Sequence, residues 1–214
     1  MQCLDTKNTD LNALVHCHRL AFPDALSTKL GRRFCSKMLS WYIESARGIL
    51  FHLEHEGKIP GYVGGIMIRE PGLPGAATSI TQHSFRVFVL AFLIRPWLIF
   101  HPENLKRISF IWRNIKLKLR SGGKSSNTSV QAVSQIFIPS MGLMVIGVLP
   151  EHQGKGYGSF MLKEFESRAR KEGFRKISLS VHKDNHQAIT AYRRNGWTVG
   201  REDSSGLYMF KDLD

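Results

Sequence analysis

The sequence is short of cysteine, of acidic residues and of long apolar runs, and each shortage removes a class of protein. Three cysteines, Cys3, Cys17 and Cys35, are odd in number and widely spaced, with no CxxC pair. That pattern excludes a disulfide framework and gives no support to a cysteine-based zinc cluster. Reduced, buried thiols in a cytosolic protein are the plain reading. His16 and His18 stand two apart on an expected helix and face different directions, so they make no metal pair, and no metal is expected. The longest apolar run, Val87–Ile94, is bounded by Arg86 and Arg95. It falls far short of the roughly 20 residues that span a bilayer. Met1–Asp10 is polar and lacks the apolar core of a secretory signal, so a cytoplasmic location is expected.

The acidic shortage is the strongest of the three. There are 17 Asp and Glu against 30 Lys and Arg, a formal net charge of +13 and a pI near 10. Such a surface favours anionic partners: nucleic acid, the inner face of an anionic membrane, or a polyphosphate ligand. No nucleic-acid recognition motif accompanies the charge, which counts against the first.

The 214 residues fit one domain, 1–214, with an insertion at about 71–128. Met1–Leu4 reads as an edge strand. Asp10 is placed to cap a helix over Leu11–Phe22, with Leu11, Leu14, Val15, His18 and Phe22 on one face and Pro23 as its stop. Ser27 is placed to cap a second helix to about Ala46, with Leu30, Phe34, Met38 and Trp41 inward. Ile49–Glu54 and Tyr62–Ile68 read as a hairpin around Glu56-Gly57-Lys58. The insertion opens with the apolar stretch Phe85–Phe100. It continues as a basic amphipathic pattern over Pro102–Arg120, and ends in a Gly/Ser-rich loop, Ser121–Thr128. Strand patterns return at Gln135–Ile138 and Gly142–Leu149. A helix is expected over Gly156–Gly173, a strand at Lys176–His182, a helix at Asn185–Asn195, and closing strands at Trp197–Arg201 and Leu207–Lys211.

The segment Val148–Ser159 carries the functional argument. A strand ends, a turn holding Gly154, Gly156 and Gly158 follows, and a helix begins. Glycines remove side chains where backbone must come close to a ligand, and the free amides of the new helix suit phosphate oxygens. Lys155 adds charge. The order does not fit a G-x-x-x-x-G-K-[ST] loop, and a G-x-G-x-x-G fingerprint fails because its third glycine falls on Ser159 or Met161.

The spacing Gln153-x-x-Gly156-x-Gly158 resembles the Q/R-x-x-G-x-G/A signature of the GNAT superfamily of N-acetyltransferases. Asn185, Ala188, Tyr192 and Gly196-Trp197 match the helix that follows in that family. The resemblance is close over Met141–Phe210 and looser over Leu11–Ile68, and it does not cover the insertion. It implies an α/β (α+β) fold: a mixed, mostly antiparallel central sheet flanked by helices and splayed at Val148, to which the helical spacing within 71–128 adds a helical insertion. It also implies direct transfer of an acetyl group from acetyl-coenzyme A (acetyl-CoA) to an amine. By the same resemblance, the backbone of Gln153, Gly154, Lys155, Gly156, Tyr157, Gly158 and Ser159 holds the pyrophosphate. Val148 pairs with the pantetheine arm, Ile146 and Gly147 meet the acetyl end, and Asn185 bonds the pantetheine region. Tyr192 protonates the leaving thiolate, a donor role that suits a phenol with an ordinary pKa of about 10. Beside these roles stand plainer ones: Tyr192 as a core residue, Asn185 as a helix cap, Lys155 as a solvated charge.

One departure from the family pattern stands out. Many members carry a glutamate on the strand before the turn as general base, and the matching position here is Gly142. Glu70, His83 and His182 are the candidates to replace it. The acceptor stays open: a small-molecule amine leads, with amino sugars and other anionic or lipid-linked metabolites in view. A protein lysine or N-terminus, or a non-catalytic acyl-CoA sensor, are the alternatives. Three readings of the 71–128 insertion also stay open: a lid on the acceptor pocket, an interfacial element on an anionic membrane, and a homodimer contact.

Overall fold

The structure, a computed structural model, describes residues 1–7, 10–71, 76–100, 137–203 and 206–213. The expected Pro102–Arg120 helix and Ser121–Thr128 loop lie outside them, as does the start of the Gln135–Ile138 strand. Residues 137–139 precede the next strand in irregular backbone.

Seven strands form one sheet in the order β1-β2-β3-β4-β5-β7-β6. They are β1 (Gln2–Asp5), β2 (Gly48–His55), β3 (Lys58–Ile68), β4 (Ser140–Val148), β5 (Lys176–His182), β6 (Thr198–Glu202) and β7 (Gly206–Asp212). Every pairing is antiparallel except β4 with β5. The hairpin turn falls at Glu56 and Gly57, both at positive φ, where glycine and a short loop match the strand twist.

Helices cover both faces. On one side lie α1 (Leu11–Ala21) and α3 (Arg32–Glu44), which pack Leu14, Val15, Leu39 and Trp41 onto Leu50, Tyr62 and Ile66. On the other lie α6 (Tyr157–Lys171) and α7 (His186–Arg194), which pack Met161, Phe165, Ile189 and Tyr192 onto Phe51, Val63, Leu143 and Leu179. Alternation along β3 divides the two cores: Val63 faces one and Tyr62 the other. The glycines of β3 let α6 come close. A β-carbon at Gly61 would lie 2.7 Å from Met161 Cε, and one at Gly65 would lie 2.7 Å from Phe165 Cε2. Full burial of a side chain such as Phe165 stabilises the fold by about 2–3 kcal/mol.

The expected second helix is two. A short α2 (Leu26–Leu30) stops at Gly31, whose φ of +101° is open to glycine, and α3 starts at the next residue. Ser27 caps neither: Ala25 stands at the N-cap of α2 and Gly31 at that of α3. The Ser27 hydroxyl instead bonds His18 Nε2 at 2.8 Å. Asp10 does occupy the N-cap of α1, but its carboxylate accepts from the Lys7 amide rather than from the helix.

After β3 come α4 (Ala76–His83), α5 (Phe85–Ile94) and a 3-10 turn, Pro96–Phe100. The inner side of α5 packs Phe88 and Ala91 with Leu26, Leu30, Phe34 and Leu98 in a third small core.

Candidate functional site

The site is built by an irregularity in β4. Gly64 pairs with Val145 and Gly65 with Leu143, so Met144 is an extra residue, a bulge. The bulge resets the alternation. Before it, Met141 and Leu143 face the α6/α7 core; after it, Ile146 and Val148 do. It also ends the pairing with β5, whose register with β4 runs only from Met141–Ile177 to Leu143–Leu179. Beyond Leu143 the two parallel strands diverge.

The free edge of β4 is therefore available. The Leu149 amide bonds Pro60 O at 2.8 Å. By antiparallel alternation, the backbone groups of Val145 and Gly147 also point to β3, and those of Ile146 and Val148 point into the gap. Gln153 Nε2 donates to Val148 O at 3.1 Å and ties the glycine turn to the strand end. That carbonyl keeps one lone pair, and the Val148 amide faces the gap.

The turn itself runs through a 3-10 segment, Pro150–His152, into α6. Gly154 (φ +74°) and Gly156 (φ +83°) need glycine for their backbone conformation. Gly158 does not: it sits in the first turn of α6 with ordinary helical backbone, and an added β-carbon would meet nothing within 4 Å. Glycine at a helical position costs about 1 kcal/mol relative to alanine. Neither conformation nor packing requires it there; open backbone toward the cleft is what it provides. The first amide bond of α6 is Phe160 N–H to Gly156 O, and no side chain caps the helix. The amides of Tyr157, Gly158 and Ser159 precede that bond, at the positive end of a 15-residue helix dipole. Ser159 Oγ accepts from Asn195 Nδ2 at 3.0 Å, which fixes α6 to the end of α7.

These parts line one cleft of about 790 Å3 that passes through the gap in the sheet. On the α6/α7 side it is walled by Gln153, Gly154, Gly156, Gly158, Ser159, Asn185 and Tyr192, with Ile146 and Val148 along the strand edge. On the other side it reaches Ala21 and Phe22 at the end of α1. Lys155 and Tyr157 are not in the lining. Lys155 is exposed. The Tyr157 ring turns back between His152 and His55, with centroids 5.4 and 5.8 Å away.

Tyr192 is 8% exposed, and its ring lies 5.9 Å from that of Trp197. Burial pushes its phenol up to about 12 rather than leaving it near 10. The group therefore keeps its proton across the neutral and alkaline range. Asn185 caps α7, its Oδ1 accepting from the Ala188 amide at 3.1 Å, and the side chain also borders the cleft.

None of the three candidate bases lines the cleft. Glu70 is exposed after β3. His83 bonds Ser40 Oγ at 3.3 Å and lies 3.6 Å from Glu44. His182, half exposed, faces Asp184 at 3.3 Å. Gly142 is buried in the sheet, and a β-carbon there would point at Ile66. No carboxylate appears among the described lining residues. Among the lining residues that no site motif marked are Phe22, expected only on the apolar face of α1, and His152, whose Nδ1 is buried without a partner among the described residues. Among the described residues no cluster of three His, Cys, Asp or Glu could hold a metal.

The glycine turn, the uncapped α6 amides and the open strand edge are the features the GNAT resemblance assigned to coenzyme A. Residues 137–197 match the acetyltransferase (GNAT) family. No curated protein matches the chain by sequence. Among solved structures, the PaiA N-acetyltransferase of Thermoplasma acidophilum, in complex with coenzyme A, superposes with a TM-score of 0.59 at 13% identity, covering 99% of this chain and 98% of that one. The ribosomal-protein-S18-alanine N-acetyltransferase of Escherichia coli gives 0.55 at 15% identity, covering 99% and 93%. Naa20 of Chaetomium thermophilum, bound to a bisubstrate analogue, gives 0.54 at 16% identity, covering 100% and 87%. Over residues 137–197, the turn and its flanking elements, the chain is thus similar to the acetyltransferase (GNAT) family, and it shares the fold of N-acetyltransferases, one of them solved with coenzyme A.

Proposed function

We propose that this chain transfers the acetyl group of acetyl-CoA to the amine of a small molecule, with the cofactor in the β4/β5 gap and the acceptor entering from the Phe22 side. The observation that carries this reading is the glycine at position 158, which the fold itself does not need and which opens the helix terminus to a bulky anion. The amides of Tyr157, Gly158 and Ser159 take the pyrophosphate, and Lys155 contributes charge from outside the lining. The gap-facing backbone of Ile146 and Val148 holds the pantetheine arm as an added strand would be held. Asn185 borders the arm while capping α7.

Acetyl-CoA supplies the acetyl group as a thioester. Transfer forms a carbon–nitrogen bond, breaks the carbon–sulfur bond, and leaves a thiolate that needs a proton. Tyr192, neutral and buried in the wall, is the proton donor. With no carboxylate in the described lining, the amine arrives already neutral and loses its proton to water. A second reading, transfer to an amine of a protein, is favoured by one of the neighbouring folds, which is named as an N-acetyltransferase of a ribosomal-protein alanine.

Calorimetry with acetyl-CoA tests the cofactor site. Gly158→Glu is the informative variant because its backbone conformation is ordinary and its surroundings open, and a carboxylate at a helix start is mildly stabilising. Wild type is expected to bind and Gly158→Glu to lose binding at unchanged thermal stability. Equal binding by both would remove the pyrophosphate from this turn. A panel of small amines against short peptides then separates the two acceptor readings.

A further inference from the structure

The described part of the insertion does not reach the cleft: no residue of 76–100 lines it. What it builds instead is an apolar surface. α5 has two faces. Its inner face is anchored, with the Phe88 ring 6.0 Å from that of Phe34, and with Ala91 buried in the small core. Just past its end, Arg95 Nη1 donates to Lys29 O at 2.6 Å and so locks the helix to α2. The outer face is apolar too. Phe85, Leu90, Leu93, Ile94, Trp97 and Phe100 are all more than half exposed, Leu93 and Phe100 by 72% and 73%. A helix held this firmly on one side, with leucine and tryptophan outward on the other, presents a surface larger than scattered apolar residues explain.

Charge identifies what covers it. From Phe85 to Phe100 there is no acidic residue, and Arg86 is exposed at the edge of the patch. The flanking α2 and α3 add Lys29, Arg32 and Arg33, all three exposed. Over residues 71–150 the sequence carries nine Lys and Arg against a single acidic residue, Glu103. Most of the chain's excess positive charge thus falls within this stretch of the sequence. No described helix is long and apolar enough to cross a membrane, and α5 with its ten residues is about 15 Å long. A short helix lying flat, with apolar residues at acyl-chain depth, tryptophan at the boundary and basic residues at the headgroups, is the arrangement that binds an anionic bilayer surface.

We propose that α5 and the Pro96–Phe100 turn form a docking face for an anionic lipid bilayer. The inference is independent of the acetyl-transfer reading. The test is co-sedimentation of the full chain with phosphatidylcholine vesicles and with vesicles of phosphatidylcholine and phosphatidylglycerol. Wild type is expected to bind the anionic vesicles at low salt, weaken as salt rises, and leave the neutral ones largely unbound. The double variant Leu93→Ser/Trp97→Ser is expected to lose binding by about tenfold or more, and Arg86→Glu by about tenfold. All three positions are exposed, so thermal stability and acetyl-CoA binding serve as controls for folding. Wild type that ignores anionic vesicles overturns the proposal. So does light scattering that shows a homodimer broken by Leu93→Ser/Trp97→Ser, since a second copy would then cover the face. Equal binding to neutral vesicles would overturn the assignment of the lipid as anionic.

Discussion

His18 Nδ1 and the Tyr62 hydroxyl lie 2.5 Å apart in the core, and His18 Nε2 is 2.8 Å from Ser27 Oγ. Both ring nitrogens are thus occupied by neutral hydroxyls, with no carboxylate to support a charge, and burial pushes His18 down to about 4. The triad stands directly under the cleft. Tyr62 pairs with Gly147 across β3 and β4, and the His18 ring is 5.2 Å from that of Phe22.

A pH dependence of stability follows. The unfolded chain takes up a proton near 6.5 and the folded chain only near 4, so between these values the unfolded state binds more protons. The contribution of His18 is complete above about 6.5 and is lost as pH falls toward 4. The shift corresponds to roughly 3 kcal/mol. Urea midpoints of wild type should fall across this window. His18→Gln, less stable at neutral pH, should show a flatter profile. Parallel profiles would mean that other groups carry the acid lability.

Gly147 gives a second prediction. A β-carbon there would lie 2.8 Å from Tyr62 Cε1 and 3.1 Å from Phe22 Cε2. Gly147→Ala should destabilise by about 1–3 kcal/mol through overpacking, read as a lower thermal midpoint. Because Phe22 closes the acceptor side, the acceptor KM should rise more than the KM for acetyl-CoA. Equal change in both would place Phe22 outside the acceptor path.

Asn185 has two duties that substitution can separate. Asn185→Ala removes the cap of α7 and should cost about 1 kcal/mol. Asn185→Asp keeps a cap acceptor but loses the amide donor. If the side chain donates to the pantetheine arm, acetyl-CoA affinity drops in both variants while stability drops only in the first. An affinity loss confined to Asn185→Ala would leave it a cap alone.

The parts of this site that the sequence disclosed are those with local signatures. Glycines at 154, 156 and 158 stand where a strand becomes a helix, and that spacing is readable from the chain itself. So was the stop of α1 before Pro23 and the two-sided hairpin of β2 and β3. What escaped reading depends on contacts far apart in sequence. Phe22 reaches the cleft only because Gly147, 125 positions later, leaves room for it. The Met144 bulge has no glycine or proline to mark it, yet it opens the gap. Ser27 looked like a cap because local pattern assigns a hydroxyl at a helix start to the helix; His18 competed for it and won. Tyr192 was legible as a residue, but its proton affinity was not, since burial behind Trp197 raises it.

That raised proton affinity shapes the test of catalysis. Tyr192 is held near 12 by desolvation, so its proton is present at every pH where the fold is routinely assayed. An essential donor with that value gives no falling limb below about pH 11. The rate should therefore rise with pH as the acceptor amine loses its proton, and then level off. Tyr192→Phe removes one oxygen and keeps the ring against Trp197, so the fold should hold. Its kcat should fall by about a hundredfold or more, with the KM for acetyl-CoA nearly unchanged, since general acid catalysis contributes on that scale. An unchanged kcat would return Tyr192 to the core and hand the thiolate's proton to water. A wild-type profile that turns down near pH 9 would instead mean that a different group, one with lower proton affinity, donates to sulfur.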